Sequence, residues 1–235
     1  SSGLRQLGVQ EAPIVDMVKP ITKYAVTITN PLSIRYHLEK AIDLATNGRM
    51  GPVWLDIPLD VQAAMSEETR LHKYLKSKKN EISNQKLDYL VKKTIDMVKA
   101  AKRPIILAGH GIRLSGAGEE FMNLVEKLGI PVVTSMGGTD IIPSTHPLFV
   151  GRIGSFGNRS GDFANHDSDL IISFGARMHL WSIGYDYNNF GREAKKIVID
   201  MDHCELNKKT ISPDLKIQAN VAVFIKKFSA ALNSN

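Results

Sequence analysis

The chain has 235 residues, and its hydrophobic content of 43% is sufficient for a packed core. Charged residues make up 23%, close to the globular average, which excludes wholesale disorder. The net charge of +6 is spread along the chain, no aromatic residues interleave with the basic ones at stacking spacing, and no binding motif is present, so we expect no nucleic-acid partner. We interpret the one dense lysine cluster as a solvated linker: Lys73, Lys76, Lys78 and Lys79.

Cysteine usage and apolar run lengths indicate the compartment. The single cysteine, Cys204, excludes an internal disulfide framework and fits a reducing cytoplasm. Because no second cysteine lies nearby, we expect no metal site there. The first residues lack the apolar region of a signal peptide, and no segment is apolar for long enough to span a bilayer. We therefore expect a cytoplasmic protein with no membrane contact.

The pattern of residues 1–62 is that of an incomplete α/β domain. It predicts a helix over Val9–Val18, a strand over Tyr24–Ile28, a helix capped by Asn30, and a buried strand within Gly51–Pro58. Two parallel strands cannot cover their own faces, so we interpret this part as the tail of a domain whose beginning lies outside the chain.

The polar, lysine-rich residues 63–83 are interpreted as an interdomain linker, and residues 84–235 as a second domain in which strands alternate with helices. This alternation predicts a doubly wound, Rossmann-like parallel sheet. The stretch between Gly138 and Gly151 is predicted to be irregular. The predicted strands cover residues 104–108, 130–134, 169–174, 196–202 and 215–217.

The first strand of this domain ends in a glycine turn, Gly109-His110-Gly111, followed by apolar residues at helical spacing. Ser115 or a neighbour is expected to cap that helix, and Gly129 to end it. Free backbone N–H groups at such a turn would suit a phosphate. The next glycine, Gly116, falls too late for the dinucleotide fingerprint, and an ordinary chain corner is the alternative interpretation.

The other predicted strands also end in small or acidic residues, and ligands of doubly wound sheets lie beyond these ends. Arg177 is expected to pair with a pyrophosphate, and Asp200 or Asp202 to bind a ribose hydroxyl. The alternative is that these are ordinary corners and that Asp200 caps a turn. We find no catalytic constellation, and a lone histidine here is more typical of a structural role. The candidate cofactor-binding residues are Gly109, His110, Gly111, Ser135, Met136, Gly154, Ser155, Phe156, Gly157, Gly175, Ala176, Arg177, Asp200 and Asp202.

Several runs, in this order, resemble thiamine-diphosphate-dependent enzymes, with the acetolactate synthase large subunit as the most similar pattern. The run GRMGPVWLDIPLDVQ resembles the end of their pyrimidine-binding domain. The runs that resemble their central domain are RPIILAGHGIRLSGA, KLGIPVVTSMGG, THPLFVGRIGSFGNRSGDFA, DSDLIISFGAR and KKIVIDMD.

The resemblance implies a parent enzyme that decarboxylates a 2-keto acid such as pyruvate on thiamine diphosphate and Mg²⁺ and transfers the acyl unit to an acceptor. It also implies a homodimer or homotetramer, FAD held by the candidate cofactor-binding residues above, and Gln10 as a neighbour of the active site. The family's catalytic glutamate and its Gly-Asp-Gly metal motif are absent from this sequence, so we assign no catalytic residue and no metal ligand, and expect the chain alone to be inactive.

The chain departs from this family after Arg177. Met178-His179-Leu180-Trp181 stands where acetolactate synthases commonly have Phe-Asp-Asp-Arg, which leaves open an acceptor other than a second pyruvate. The competing hypothesis for the whole chain is a noncatalytic nucleotide-binding or scaffold module.

Overall fold

The computed structural model describes residues 12–76 and 82–233. The chain divides into two compact units, Ser1–Asn80 and Glu81–Asn235. Among the described residues, no helix is both long enough and apolar enough to cross a membrane.

The first unit follows the predicted order of helix, strand, helix and strand. Its elements are α1 (Ile14–Val18), β1 (Tyr24–Thr27), α2 (Ile34–Thr46), β2 (Val53–Asp56) and α3 (Leu59–Ala63). Strands β1 and β2 are parallel, with Tyr24 opposite Val53. The predicted helix over Val9–Val18 is described only from residue 12, and its helical part begins at Ile14.

Both ends of α2 have identifiable partners. The Asn30 side chain accepts the Leu32 N–H at 3.0 Å, as the predicted cap requires, and one 3₁₀ turn then leads into the helix. At the other end the Lys23 ammonium group donates to three backbone carbonyls, which satisfies groups that a helix terminus leaves unpaired. These carbonyls belong to Leu44, to Asn47 at 2.9 Å and to Arg49 at 2.7 Å.

The first unit is less buried than the sequence predicts. The strand predicted within Gly51–Pro58 is confirmed as β2, but its predicted burial is wrong, because Trp54 is 41% exposed. Ile42 of α2 is 64% exposed. Among the described residues, β1 and β2 form a sheet of two four-residue strands, which offers too little area to cover the apolar side chains around it.

The polar segment after α3 lies along helix α2. The His72 N–H donates to the Leu32 carbonyl at 2.9 Å, and the Tyr74 N–H donates to Glu39 at 2.9 Å. The Tyr74 hydroxyl also donates to Asp43 at 3.3 Å. The first half of the segment interpreted as a linker is therefore hydrogen-bonded within the first unit, while the division at residues 63–83 stays a prediction.

The second unit alternates helices and strands. Its elements are α4 (Asn84–Ala100), β3 (Pro104–Ala108), α5 (Gly111–Leu114), α6 (Gly118–Leu128), β4 (Val132–Thr134), β5 (Phe149–Arg152), α7 (Arg159–Asp167), β6 (Leu170–Phe174), α8 (Leu180–Ile183), β7 (Lys195–Asp200), α9 (His203–Leu206), β8 (Leu215–Gln218) and α10 (Val221–Asn233).

Among the described residues of this unit, six strands form one parallel sheet in the order β5-β4-β3-β6-β7-β8. Numbered from the first strand of the unit, that order is 3-2-1-4-5-6, the arrangement of dinucleotide-binding sheets. The predicted α/β, doubly wound, Rossmann-like fold is confirmed. The prediction of an irregular stretch up to Gly151 is wrong at its end, because Phe149–Arg152 forms the edge strand β5, paired with β4 only.

Helices cover both faces of the sheet. On one face α4, α6 and α10 pack on the strands around three fully buried phenylalanine rings. The ring centroids of Phe121 and Phe224 lie 5.7 and 6.0 Å, respectively, from the ring centroid of Phe174. On the other face Leu107, Ile171 and Val198 pack beneath α7, α8 and α9. Burial on both faces explains the continuous apolar runs of the central strands.

Helix α6 ends as predicted but begins differently. Gly129 adopts a left-handed conformation, φ +63°, at its C-cap. The prediction that Ser115 or an adjacent residue caps the helix is wrong, because the N-cap residue is Ala117, which makes no side-chain cap bond, and the Ser115 hydroxyl donates to the Ile112 carbonyl at 2.9 Å.

Candidate functional site

The candidate site lies at the switch point of the sheet, where the strand order reverses between β3 and β6. Strand β3 pairs with β4 on one side and with β6 on the other, and the chain leaves these strands toward opposite edges. Doubly wound sheets bind their ligands beyond the carboxyl ends of the strands at such a point, and we call this region of the chain the crevice. The loop segments there are Gly109-His110-Gly111 and Gly175-Ala176-Arg177.

These two loops contact each other through their backbones. The N–H of Gly109 donates to the Phe174 carbonyl and that of Gly111 to the Gly175 carbonyl, each at 3.0 Å. A Cβ atom on Gly109 would lie 2.2 Å from the Cα of Ala176, and one on Gly111 would lie 2.7 Å from the Cα of Gly175. The close approach of the two loops thus requires glycine at both positions.

The expectation of free N–H groups at this glycine turn is wrong for Gly109 and Gly111, because both amides donate to the neighbouring strand end. Helix α5, which begins at Gly111, has only four residues, so its dipole offers little attraction for an anion. These two amides are therefore not available to a bound anion.

The loop after β4 is joined to the glycine turn. The Ser135 N–H donates to the Ala108 carbonyl at 3.0 Å, and His110 Nδ1 lies 3.1 Å from the Gly137 carbonyl. His110 is thus a hydrogen-bonding residue that ties two loops together, while Ser135 is buried and Met136 is exposed.

The loop after β5 presents an aromatic pair. The Ser155 N–H donates to the Trp181 carbonyl at 2.8 Å, and the Phe156 and Trp181 rings meet edge to face with centroids 5.3 Å apart. Both rings are exposed. The loop is closed by a Gly157 N–H to Gly154 carbonyl bond of 2.7 Å, and the Gly154 N–H donates to Asp162 at 2.8 Å. Sequence reasoning selected Phe156 but not Trp181, because only the folded chain brings α8 beside this loop.

Arg177 supplies positive charge beside the switch point. Its side chain is 52% exposed, and its Nε lies 3.4 Å from Oε2 of Glu205, whose own side chain is only 6% exposed. Oε1 of Glu205 contacts the Lys208 ammonium group and accepts the Met178 N–H at 3.3 Å. Lys208 also donates to the Met178 carbonyl at 2.7 Å. Sequence reasoning missed Glu205, because the residues next to it in the sequence do not indicate that its side chain is buried.

Two acids follow strand β7. Asp200 is buried and accepts the Asp202 N–H at 2.8 Å. Burial has the largest effect and raises the pKa of the Asp200 carboxyl, while the hydrogen bond from the Asp202 N–H lowers it. The charges of Glu205 and Asp202 raise this pKa and the charge of Arg177 lowers it, and the net direction is upward. Asp200 thus caps the turn after β7, as the alternative interpretation expected, and Asp202 caps the following helix, because its side chain accepts the Cys204 N–H at 2.9 Å.

The structure places all the candidate cofactor-binding residues at the carboxyl ends of five neighbouring strands, β3 to β7. Whether they bind a cofactor stays a prediction. Gln10 lies outside the described residues. Within residues 12–76 and 82–233, no group of three or more His, Cys, Asp or Glu side chains could hold a metal ion, and Cys204 is an exposed free thiol.

Residues 91–228 match the family model described as thiamine pyrophosphate enzyme, central domain. The chain is 34% identical over 228 residues to a probable acetolactate synthase large subunit of Methanocaldococcus jannaschii, which covers 95% of this chain and 38% of that protein. It is 33% identical over 213 residues to the acetolactate synthase isozyme 1 large subunit of Escherichia coli, with coverage of 90% and 36%.

A third relative is the acetolactate synthase large subunit of Corynebacterium glutamicum, 34% identical over 199 residues, with coverage of 85% of this chain and 32% of that protein. The chain spans less than two fifths of the length of each of these relatives. The family model covers most of the second unit and more than half of the chain. The chain therefore belongs to the family of thiamine pyrophosphate enzymes and contains their central domain.

Proposed function

We propose that this chain is part of a thiamine-diphosphate-dependent carboligase of the acetolactate synthase type. Residues 1–62 would be the end of the pyrimidine-binding domain, residues 63–83 a linker, and residues 84–235 the central domain. The support is that relatives named acetolactate synthase large subunits align with at least 85% of the chain. The substrate would be a 2-keto acid, and the parent a homodimer or homotetramer.

Thiamine diphosphate supplies the chemistry of 2-keto acid decarboxylation when it is bound, with Mg²⁺ at its diphosphate. The family's catalytic glutamate and its Gly-Asp-Gly motif are absent from this sequence, so in this proposal both ligands are held by other parts of the parent protein. The chain itself would provide scaffold and a nucleotide site. A direct test is to express the longer product of the same coding sequence and measure CO₂ release from pyruvate. Equal release with and without thiamine diphosphate would reject the proposal.

We further propose that the crevice between β3 and β6 binds FAD or another nucleotide that contains ADP. The observation that carries this proposal is the half-exposed guanidinium of Arg177 at the switch point, whose charge acts on the buried Asp200 carboxyl. The Arg177 cation fits a diphosphate. A ribose hydroxyl could donate to Asp200, and the exposed pair of Phe156 and Trp181 offers a surface for a flat ring.

Substitution of Arg177 tests this site. Arg177→Met keeps most of the apolar stem and removes the charge, so we expect the affinity for ADP and FAD, measured by calorimetry, to fall about tenfold or more. Arg192→Met is the matched control, because Arg192 is a well-exposed arginine that pairs with its neighbour Glu193. Equal affinities of wild type and Arg177→Met would reject Arg177 as the diphosphate partner.

One observation favours a second candidate, a scaffold module without a ligand. The tight packing of Gly109 and Gly111 against the loop after β6 explains both glycines without any cofactor. This candidate predicts that the folded wild-type chain has no measurable affinity for ADP, FAD or NAD. Saturable binding of any of these ligands would reject it.

A further inference from the structure

Glu205 of α9 is bonded to the loop that follows β6 through Arg177 and Met178. Its carboxylate divides its contacts: Oε1 accepts the Met178 N–H and contacts the Lys208 ammonium group, while Oε2 contacts the Arg177 Nε. An almost fully buried carboxylate is costly unless it is paired and hydrogen-bonded, and here both oxygens have partners. The buried end of the network is therefore fixed, while its exposed end is the Arg177 guanidinium.

We infer that Glu205 is a positioning residue that orients Arg177 toward the phosphate groups of a nucleotide in the crevice. The inference rests on the nucleotide site proposed above. The Arg177 contact uses the Nε–H group and leaves the N–H groups of both terminal nitrogens for a ligand. Holding a long, rotamer-rich side chain in place before the ligand arrives reduces the entropy lost on binding.

The isosteric variant Glu205→Gln separates this role from simple anchoring of the loop. The Gln amide has one acceptor and one donor group. Its oxygen will face the Met178 N–H and Lys208, which both donate, so its NH₂ group will face the Arg177 Nε–H. The Gln NH₂ group and the Arg177 Nε–H are both donors, so no hydrogen bond forms between them and Arg177 is released. The hydrogen bond from the Met178 N–H, which anchors the loop, is retained.

The positioning role predicts a loss that depends on phosphate. We expect Glu205→Gln to weaken ADP binding about tenfold and to leave adenosine binding unchanged within about twofold, because adenosine has no phosphate for Arg177. The double variant with Arg177→Met should bind ADP no more weakly than Arg177→Met alone, as expected for residues that act through one contact. Glu193→Gln, at an exposed acid paired with Arg192, is the matched control.

Two outcomes would overturn the inference. Removing a negative charge beside Arg177 and Lys208 without moving Arg177 would strengthen ADP binding, so unchanged or tighter binding by Glu205→Gln excludes positioning. Equal weakening for ADP and adenosine would mean a structural role only.

The experiment also separates this inference from the site on which it rests. If the wild-type chain binds neither ADP nor FAD, the nucleotide site and the role of Glu205 both fail. If wild type binds ADP and Glu205→Gln binds it equally well, only the role of Glu205 fails. Should Glu205→Gln not fold, Glu205→Asp keeps the charge and withdraws it from Arg177, so the same phosphate-dependent loss is expected.

Discussion

Replacing Gly109 by alanine tests whether the glycines at the switch point are required by the packing of the chain. A Cβ atom at this position would lie 2.2 Å from the Cα of Ala176 and 2.3 Å from the Gly175 carbonyl oxygen. Both atoms belong to the backbone of the loop after β6, so no side-chain rotation can relieve the overlap. The two loops must move apart, which stretches the hydrogen bond from the Gly109 N–H to Phe174.

The expected loss of stability follows from this overlap. Forcing an extra methyl group into a packed interior costs about 1–3 kcal/mol. Because the neighbour here is backbone, we expect a value near the upper end, about 3 kcal/mol. The backbone of Gly109 does not have a positive φ, so conformational strain adds nothing to this value.

Two other glycines of the same unit provide controls. Gly116 has φ +74° and nothing within 4 Å of a built Cβ, so Gly116→Ala reports left-handed strain alone, about 1 kcal/mol. Gly118, at the start of α6, has an ordinary φ and open space, so Gly118→Ala should change the free energy of unfolding by less than about 0.5 kcal/mol.

The assay is urea unfolding followed by the fluorescence of Trp181, which lies in the second unit, in a Trp54→Phe background. The expected order of destabilisation is Gly109→Ala, then Gly116→Ala, then Gly118→Ala. A Gly109→Ala variant as stable as Gly118→Ala would refute the close backbone approach.

Two further predictions concern Asp200 and Lys23. Burial, with the charges of neighbouring acids, raises the pKa of Asp200 in the folded state. The contribution of the Asp200 carboxyl to stability is therefore fully present below its unfolded pKa of about 3.9, and it is lost as pH rises through the folded pKa. Asp200→Asn should therefore raise the free energy of unfolding at pH 7 but not at pH values below the unfolded pKa; equal stability of the two proteins at pH 7 would contradict this. Lys23→Met removes the donor to the three carbonyls at the end of α2 and should lower the free energy of unfolding of the first unit by about 1–2 kcal/mol. The measurement is urea unfolding followed by Trp54 fluorescence in a Trp181→Phe background. The control Lys19→Met, at an exposed pair with Asp16, should change it by less than about 0.5 kcal/mol, and an equal loss in both variants would exclude a specific role of Lys23.

Local signals in the sequence predicted most of the elements. Asn30 caps the turn before α2, and Gly129 ends α6 in the left-handed conformation, because both residues act through their own backbone and its nearest neighbours. Strand β5 was missed, since it is a short edge strand that includes a glycine and pairs on one side only. Burial in the first unit was overestimated for a nonlocal reason: Trp54 has an apolar side chain but not enough neighbouring structure to cover it.

The sequence by itself determined the alternation of strands and helices, the family, and the positions at which the strands end in glycine or acid. Only the tertiary structure decided what those ends do. The strand order places Gly109 against the loop after β6, so the glycine amides expected to bind phosphate donate to backbone instead. It also buries Glu205 beside Arg177. The physical reason is that hydrogen bonding and burial depend on partners that are distant in the chain. A local sequence pattern does not specify which distant residue packs against a given strand end.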